Sequence, residues 1–508
     1  MPDSPAPPPV PEGVFSLLDT DLYKLTMQCA VLKYFPDASK PVLRVSPVAP
    51  HVTYSFTNRT RDMKFTRQAY RWLKAEIDKL ANISLTPDEL EFLKSNCPYL
   101  NDAYLRYLSS FRFNPADQLS ISFHPIADTG ADSDTGDVQI AIKGRWVETI
   151  LYEIPLLALT SETYFKWCDR DWDYAQQEEK AYHKGAALLE NGCIFSEFGT
   201  RRRRDYHTQC LVMQGLCRAA EDAKAKGWKG VLSGTSNVHF AMKYGVAPVG
   251  TVAHEWYMGI AAITDSYENA NELALRYWMG CFGEGVLGVA LTDTFGTPAF
   301  LDAFVKPIPN YTSAGEGAQS TLPSSAVGNP AQSTTDVLSE TQPPIAAPIK
   351  STPGDASQIQ RKTYAQAFTG VRQDSGDPVY FVKMVRDFYN KEGIKDKKTI
   401  VFSDSLNLQL CLEYKVIAEE AGFQPVFGVG TYLTNDFTTL STHEKSVPLN
   451  IVIKISSADG RPAVKLSDNL GKNTGDSKTV VEVKRRLGYV ERDWTNGDET
   501  RRWGKRGE

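Results

Sequence analysis

At 508 residues the chain is long enough for about three domains on general size grounds, and it can bury more than one core. Its composition is that of an ordinary globular protein, 42% hydrophobic and 23% charged with a mean hydropathy of −0.33. A net charge of −5 and a pI near 5.9 exclude a general attraction to nucleic acid or to an anionic membrane, so any positive site must be local.

Taken in chain order, Met1 to Gly13 is a Pro-rich tail, read as disordered, that lacks the basic region and apolar run of a signal peptide, and no later stretch approaches a membrane span. The expected location is the cytoplasm. Ala69, Leu73, Ile77 and Leu80 recur at helical spacing within Lys64 to Asn82. Thr86-Pro87-Asp88-Glu89 opens a second helix, with Thr86 able to cap, Pro87 suited to the first turn and Glu89 completing a capping box. Leu119 to Phe123 and Val138 to Ile142 alternate like half-buried strands, so residues 14–155 read as a mixed α/β domain. The eight cysteines contain no C-x-x-C pair, and reduced, mostly buried thiols are expected rather than a zinc site or a disulfide framework.

The middle of the chain carries a repeated device. Six short apolar runs end in clusters of Gly, Ser, Thr, Asp and His: Gly230 to Asn237, Pro248 to Trp256, Gly288 to Thr297, Gly370 to Pro378, Ile400 to Asn407 and Pro425 to Asp436. Helix-like stretches follow most of them. Such runs read as buried parallel strands joined by crossover helices, which predicts an α/β, TIM-like barrel over 156–444 with its site at the strand C-terminal ends. From Thr312 to Gln358 the chain turns to Ser, Thr, Pro, Ala and Gly without an aromatic, and 312–358 reads as a disordered insertion within the barrel. Asn450 to Ser456 is strand-like, and residues 445–508 are expected to return to the first domain.

Several residues in these clusters carry chemistry. Glu197 to Asp205 reads EFGTRRRRD; four consecutive arginines also read as a nuclear-import signal, but one or two of them reaching an anion, with the rest paired to carboxylates, fits the acidic context better. His254 ends a strand-like run, and Asp293 ends another at a depth from which a carboxylate could hold the imidazole in one tautomer for nucleophilic work. Asp374 and Asp404, each beside Ser, suit ribose hydroxyls or magnesium, or simple helix capping. Phe427 to Thr431 (FGVGT) offers backbone N–H groups to phosphate. The set is suited to a phosphorylated sugar.

Together these motifs resemble the nicotinate phosphoribosyltransferase family, in its fungal form. The wording that carries the resemblance is LLDTDLYKLTMQ (Leu17 to Gln28), FSEFGTRRRR (Phe195 to Arg204), Gly234 to Trp256, ALTDTFGT, GVRQDSGDP, FSDSLN and Asn450 to Asp476. It covers roughly 14–311 and 361–503, with the insertion outside it. The resemblance implies an irregular α/β barrel beside a smaller mixed α/β domain built from both chain ends. It implies transfer of phosphoribose from phosphoribosyl pyrophosphate to nicotinate, with coupled ATP hydrolysis and Mg2+ required. By matched position, Tyr23 and Phe198 would stack on the pyridine ring and Arg372 would face its carboxylate, helped by Thr251 and Ser236. Asp21 falls in the same substrate-binding set. Arg201 with Gly428, Gly430 and Thr431 would hold phosphate. Asp374 and Asp404 would bind ribose or Mg2+. His254 would be phosphorylated by ATP and oriented by Asp293, with Glu255 beside it in the catalytic group. In relatives the segment bearing Tyr23 comes from a neighbouring subunit, which implies a homodimer.

Two rival readings remain open in the sequence. The nicotinamide-using sister family carries an acidic residue where this chain has Ser236, and a carboxylate there would repel nicotinate's own. A barrel that lost catalysis and only binds pyridine nucleotides is the other, against which His254, Asp293, Arg372, Asp374 and Asp404 stand together.

Overall fold

The computed structural model describes residues 11–36, 50–309, 361–468 and 473–489. The insertion expected at 312–358 lies outside the described residues, as do most of the Pro-rich tail and everything beyond 489. Residues 11–13 are described and docked: Gly13 donates its N–H to Glu162 at 2.7 Å and Glu12 pairs with Lys166.

In chain order the strands are β1 (His51–Asn58), β2 (Phe65–Thr66), β3 (Leu119–Pro125), β4 (Thr135–Arg145), β5 (Ile194–Glu197), β6 (Val231–Thr235), β7 (Val289–Leu291), β8 (Gly370–Gln373), β9 (Thr399–Phe402), β10 (Gln424–Val429), β11 (Ile451–Ala458) and β12 (Arg461–Pro462). They form two sheets, and the fold is mixed α/β. The first sheet is antiparallel, in the order β12-β11-β1-β4-β2, with β3 pairing β4. β4 shows why it can form: Val138, Ile140 and Ile142 alternate inward and are buried while their neighbours face water. β1 lies between β4 and β11, in register from Val52↔Ala458 to Asn58↔Ile451, so strands from both halves of the chain share one sheet.

Helix α1 (Leu22–Tyr34) is buried on nearly all sides, polar Lys24, Thr26 and Gln28 included. Helix α2 (Arg67–Lys79) buries Ala69, Leu73 and Ile77, as the spacing predicts. It starts three residues later than expected because Phe65 and Thr66 pair as β2 and Thr66 then caps the helix through Ala69 N–H. The capping box of α3 (Pro87–Asn96) is present in both directions: Thr86 accepts from the Glu89 amide at 3.2 Å and donates its own amide to Glu89 at 2.9 Å.

The second sheet is parallel throughout, in the order β6-β5-β10-β9-β8-β7. Helices Pro378–Lys391 and Leu408–Glu420 cross from β8 to β9 and from β9 to β10. Among the described residues β6 and β7 are not joined, so the sheet is open along this path. Two expectations change here. Pro248 to Trp256 is not a strand: Pro248 has no N–H for a ladder, and the segment keeps a single parallel bridge, Thr235↔Pro248, before entering the helix His254–Thr264. His254 therefore stands at a helix start, not at a strand end. The strand that the six runs omit is β5, whose apolar content is only Ile194 and Phe195 before Ser196 and Glu197, too short for an apolar-run pattern.

Among the described residues no helix is long and apolar enough to cross a membrane.

Candidate active site

The C-terminal ends of the parallel strands open on a cavity of about 610 Å3, a normal size for a small-molecule site. Of the residues singled out in the sequence, Asp21, Tyr23, Phe198, Arg201, Ser236, Thr251, His254, Glu255, Arg372, Asp374, Asp404, Gly428, Gly430 and Thr431 all line it. Asp293 does not; it is 1% exposed and stands behind the wall.

His254 is held from both ring nitrogens. Nδ1 lies 3.0 Å from Thr294 Oγ1, while Nε2 lies 2.9 Å from Asp374 Oδ2 and 2.8 Å from Lys465 Nζ. Asp293 Oδ1 is 3.7 Å from Nε2, outside hydrogen-bond reach, so the expected Asp293 clamp is replaced by Thr294 on one side and Asp374 on the other. Asp293 acts one step removed: it accepts from Lys465 at 2.9 Å and from Ser375 at 2.5 Å. Burial, helped by the Lys465 charge, pushes the imidazole down to about 4 against the pull of Asp293 and Asp374, which keeps His254 neutral near pH 7. Burial alone would raise Asp374, but Arg372, His254 and Lys465 hold it well below the usual carboxylate range.

Arg372 is anchored by donating to Val252 O at 3.0 Å and lies 3.8 Å from Asp374. Gly428 makes room for Phe198, because a Cβ there would come within 2.4 Å of the ring. Tyr23 comes from the chain's own α1, whose start is fastened by Leu22 N–H to Ser236 O at 2.7 Å and by the bridge Asp21↔Asn237. Ser236 Oγ donates to Asp21 at 2.8 Å. A carboxylate therefore already stands against Ser236, and burial lifts it to about 6. Glu255 is turned to other work: its carboxylate accepts from Tyr54 at 2.5 Å and Trp146 at 2.8 Å and pairs with Lys24, which also pairs with Glu153. These three donors tie Glu255, and with it the helix that starts at His254, to β1, to Trp146 and to α1.

The four arginines divide as their positions around a short 3-10 turn require. Arg201 is exposed and lines the cavity. Arg202 bonds Asn450 Oδ1 at 2.8 Å, Arg203 forms a buried bidentate pair with Asp19 at 2.8 Å, and Arg204 is buried over the rings of Phe165 and Phe437. Arg203 shows the expected carboxylate pairing; Arg202 bonds a side-chain amide oxygen and a backbone carbonyl oxygen, and Arg204 is surrounded by rings and Ser446 Oγ, where burial lowers it to about 9.

Sequence reasoning missed the basic side of the site. Lys454, on β11, and Lys465 line the cavity, and burial together with Lys465, Arg59 and Arg201 depresses Lys454 to about 7. The signal was available: Lys454 interrupts an apolar strand between Ile453 and Ile455.

Residues 18–161 match the nicotinate phosphoribosyltransferase N-terminal domain, and residues 193–313 and 339–491 match the nicotinate phosphoribosyltransferase family. The break, 313 to 339, is narrower than the insertion expected from composition. Nicotinate phosphoribosyltransferase of Saccharomyces cerevisiae is 42% identical over 493 residues, covering 96% of this chain and 98% of its own. That of Methanosarcina mazei is 36% identical over 481 residues, 91% and 95%. A solved Saccharomyces cerevisiae structure matches with a TM-score of 0.78 at 40% identity, covering 95% of this chain and all 100% of its own. The Porphyromonas gingivalis nicotinate phosphoribosyltransferase matches with a TM-score of 0.71 at 30% identity, 94% and 100%. With both family models matched in order around one cavity, the chain belongs to the nicotinate phosphoribosyltransferase family.

Proposed function

We propose that the protein transfers phosphoribose from phosphoribosyl pyrophosphate to the ring nitrogen of nicotinate, giving nicotinate mononucleotide and pyrophosphate, and so serves NAD biosynthesis. The observation that carries this reading is the convergence of Arg372 and His254 on Asp374 in a cavity that also holds Tyr23 and Phe198. Tyr23 and Phe198 stack on the pyridine, and Arg372 faces its carboxylate. As the C1–O bond to pyrophosphate breaks, the sugar becomes oxocarbenium-like, and the pyridine lone pair forms the new C1–N bond. The chain's task is to orient the two partners and stabilise the departing anion, for which Arg201, Lys454, Lys465 and the Gly428–Thr431 turn are placed.

ATP hydrolysis is coupled through His254. In the reacting tautomer Nδ1–H is donated to Thr294, Nε2 gives up its contact with Asp374 and its lone pair attacks the γ-phosphorus; ADP leaves, and water later hydrolyses the phosphohistidine. Mg2+ would be held by Asp374 and Asp404 together with substrate phosphate oxygens, and it would neutralise phosphate charge. The closer grouping of His254, Asp293 and Asp374 suits it less, since Lys465 Nζ already lies among those ligands and Mg2+ favours oxygen donors. On the same reading 156–444 forms an irregular barrel in which the segment after β6 stands across the gap to β7. The smaller domain comprises 14–155 with 445–508, the protein is cytoplasmic, and a homodimer is retained from the family.

Turnover measured with nicotinate or nicotinamide as base, with and without ATP, tests this. Nicotinate should be strongly preferred and ATP should raise the yield of mononucleotide. His254→Ala should keep the fold and basal transfer but lose ATP hydrolysis in step with product. Preference for nicotinamide, or coupling that survives in His254→Ala, would overturn the reading.

A further inference from the structure

The cavity does not stop at the strand C-terminal ends. Thr399, Val401 and Ser403 of the β9 segment line it in alternation, while Ile400 and Phe402 are fully buried on the opposite face. The same face of β10, β5, β6 and β7 presents Val426, Ser196, Ser233 and Val289. Interiors of parallel barrels are ordinarily filled by layers of bulky branched side chains. Here that face offers mostly Ser, Thr, Gly and small Val, with Arg372 of β8 and Leu291 of β7 its larger members, so space persists along β9 and β10. From Thr399 to Asp404 the distance is roughly 16 Å at about 3.3 Å per residue. At the far end the lining residues Thr369 and Lys397 are exposed to solvent. Ser196 Oγ and Ser233 Oγ are buried without a hydrogen-bond partner, polar atoms on the wall that water or a passing polar group would satisfy.

Resting on the proposed function, we propose that the cavity is a channel open at both ends, and that its second mouth, at Thr369 and Lys397, admits the small planar carboxylate base. The phosphorylated sugar, drawn to Arg201, Lys454 and Lys465, closes the front mouth. The base then reaches the Tyr23 and Phe198 rings from behind. Lys397 at the rim attracts its carboxylate, while Lys398 is committed to Phe368 O at 2.7 Å and Asp396 at 2.8 Å.

The test is the association rate of nicotinate, followed by intrinsic fluorescence, with and without saturating inorganic pyrophosphate, which fills the front without reacting with the base. In the unmodified protein the rate constant should be nearly the same in both conditions. Thr369→Trp should lower it about tenfold with pyrophosphate present and leave it unchanged without, as a blocked path would. Val401→Phe, midway along, repeats the comparison if the first variant does not fold. Abolition of association by pyrophosphate in the unmodified protein, or an unchanged rate with pyrophosphate present in a folded variant, would overturn the port. Failure of nicotinate to bind at all would instead sink the proposed function.

Discussion

Lys465 is the residue on which most of the local charge depends. Its ammonium lies within 2.9 Å of both His254 Nε2 and Asp293 Oδ2, and its removal leaves Asp293 buried and uncompensated. Lys465→Met should therefore cost on the order of 3–5 kcal/mol of stability. Adding Asp293→Asn should recover part of that loss, because it removes the orphaned charge. Thermal unfolding of the single and double variants checks this, and a double variant less stable than Lys465→Met alone would contradict it. Asp21 makes a pH-dependent case. Burial raises it to about 6, so the folded protein keeps this carboxyl neutral below that value and ionises it above. The charged form would face nicotinate's own carboxylate, so the KM for nicotinate should rise as pH passes upward through about 6, and Asp21→Asn should flatten the step. An identical pH profile in Asp21→Asn would show that Asp21 does not sense the base. His254, Arg372 and Asp374 were legible because they sit in ordered polar clusters. Lys465 was not, since a single lysine in a run of mixed composition reads as surface until the fold turns it inward.

The elements differ in how far local pattern determined them. α2 and α3 follow from spacing and capping chemistry that act within a few residues, and both form where those signals lie. β5 and the segment from Pro248 defeat the same logic in opposite directions. β5 is flanked on both sides in its sheet although only two of its residues are apolar, because pairing with β10 and β6 supplies the hydrogen bonds. The Pro248 segment looks like a strand but is interrupted by its proline and then becomes the helix bearing His254. That helix is tied to α1 by Lys24, which bridges Glu255 and Glu153 in a site that excludes water from its ammonium entirely. Lys24→Met should leave buried Glu255 and half-buried Glu153 facing each other and cost about 3 kcal/mol. Because α1 carries Tyr23 and the second helix carries His254, the same variant should weaken nicotinate binding and ATP coupling together. A variant that loses stability but keeps both activities per folded molecule would show that the triad only stabilises.

At the scale of the whole molecule, strand periodicity indicated the mixed α/β architecture with polar clusters at strand ends. What no local signal could supply is which strands become neighbours: β1 meets β11 from the far end of the chain, as in the pair Thr53 and Ser456, whose separation is 403. Such pairings are decided by which hydrophobic faces remain to be covered after local elements have formed. The flanks of the unmatched segment are another long-range product. Pro307 bridges Thr363, and Ile308 donates its amide to Lys362 O at 2.9 Å, so the chain leaves and re-enters the fold at one point. For an unstructured insertion, as the composition leads one to expect here, the closure cost varies only logarithmically with length, so shortening it should change stability by about 1 kcal/mol or less. Deleting residues 314–338, the part between the two stretches of the second family match, should therefore leave the unfolding temperature and the kcat/KM for nicotinate close to those of the full chain. A large loss of turnover with the unfolding temperature retained would show instead that this segment contributes to the reaction, and a large loss of both would show that it packs against the fold.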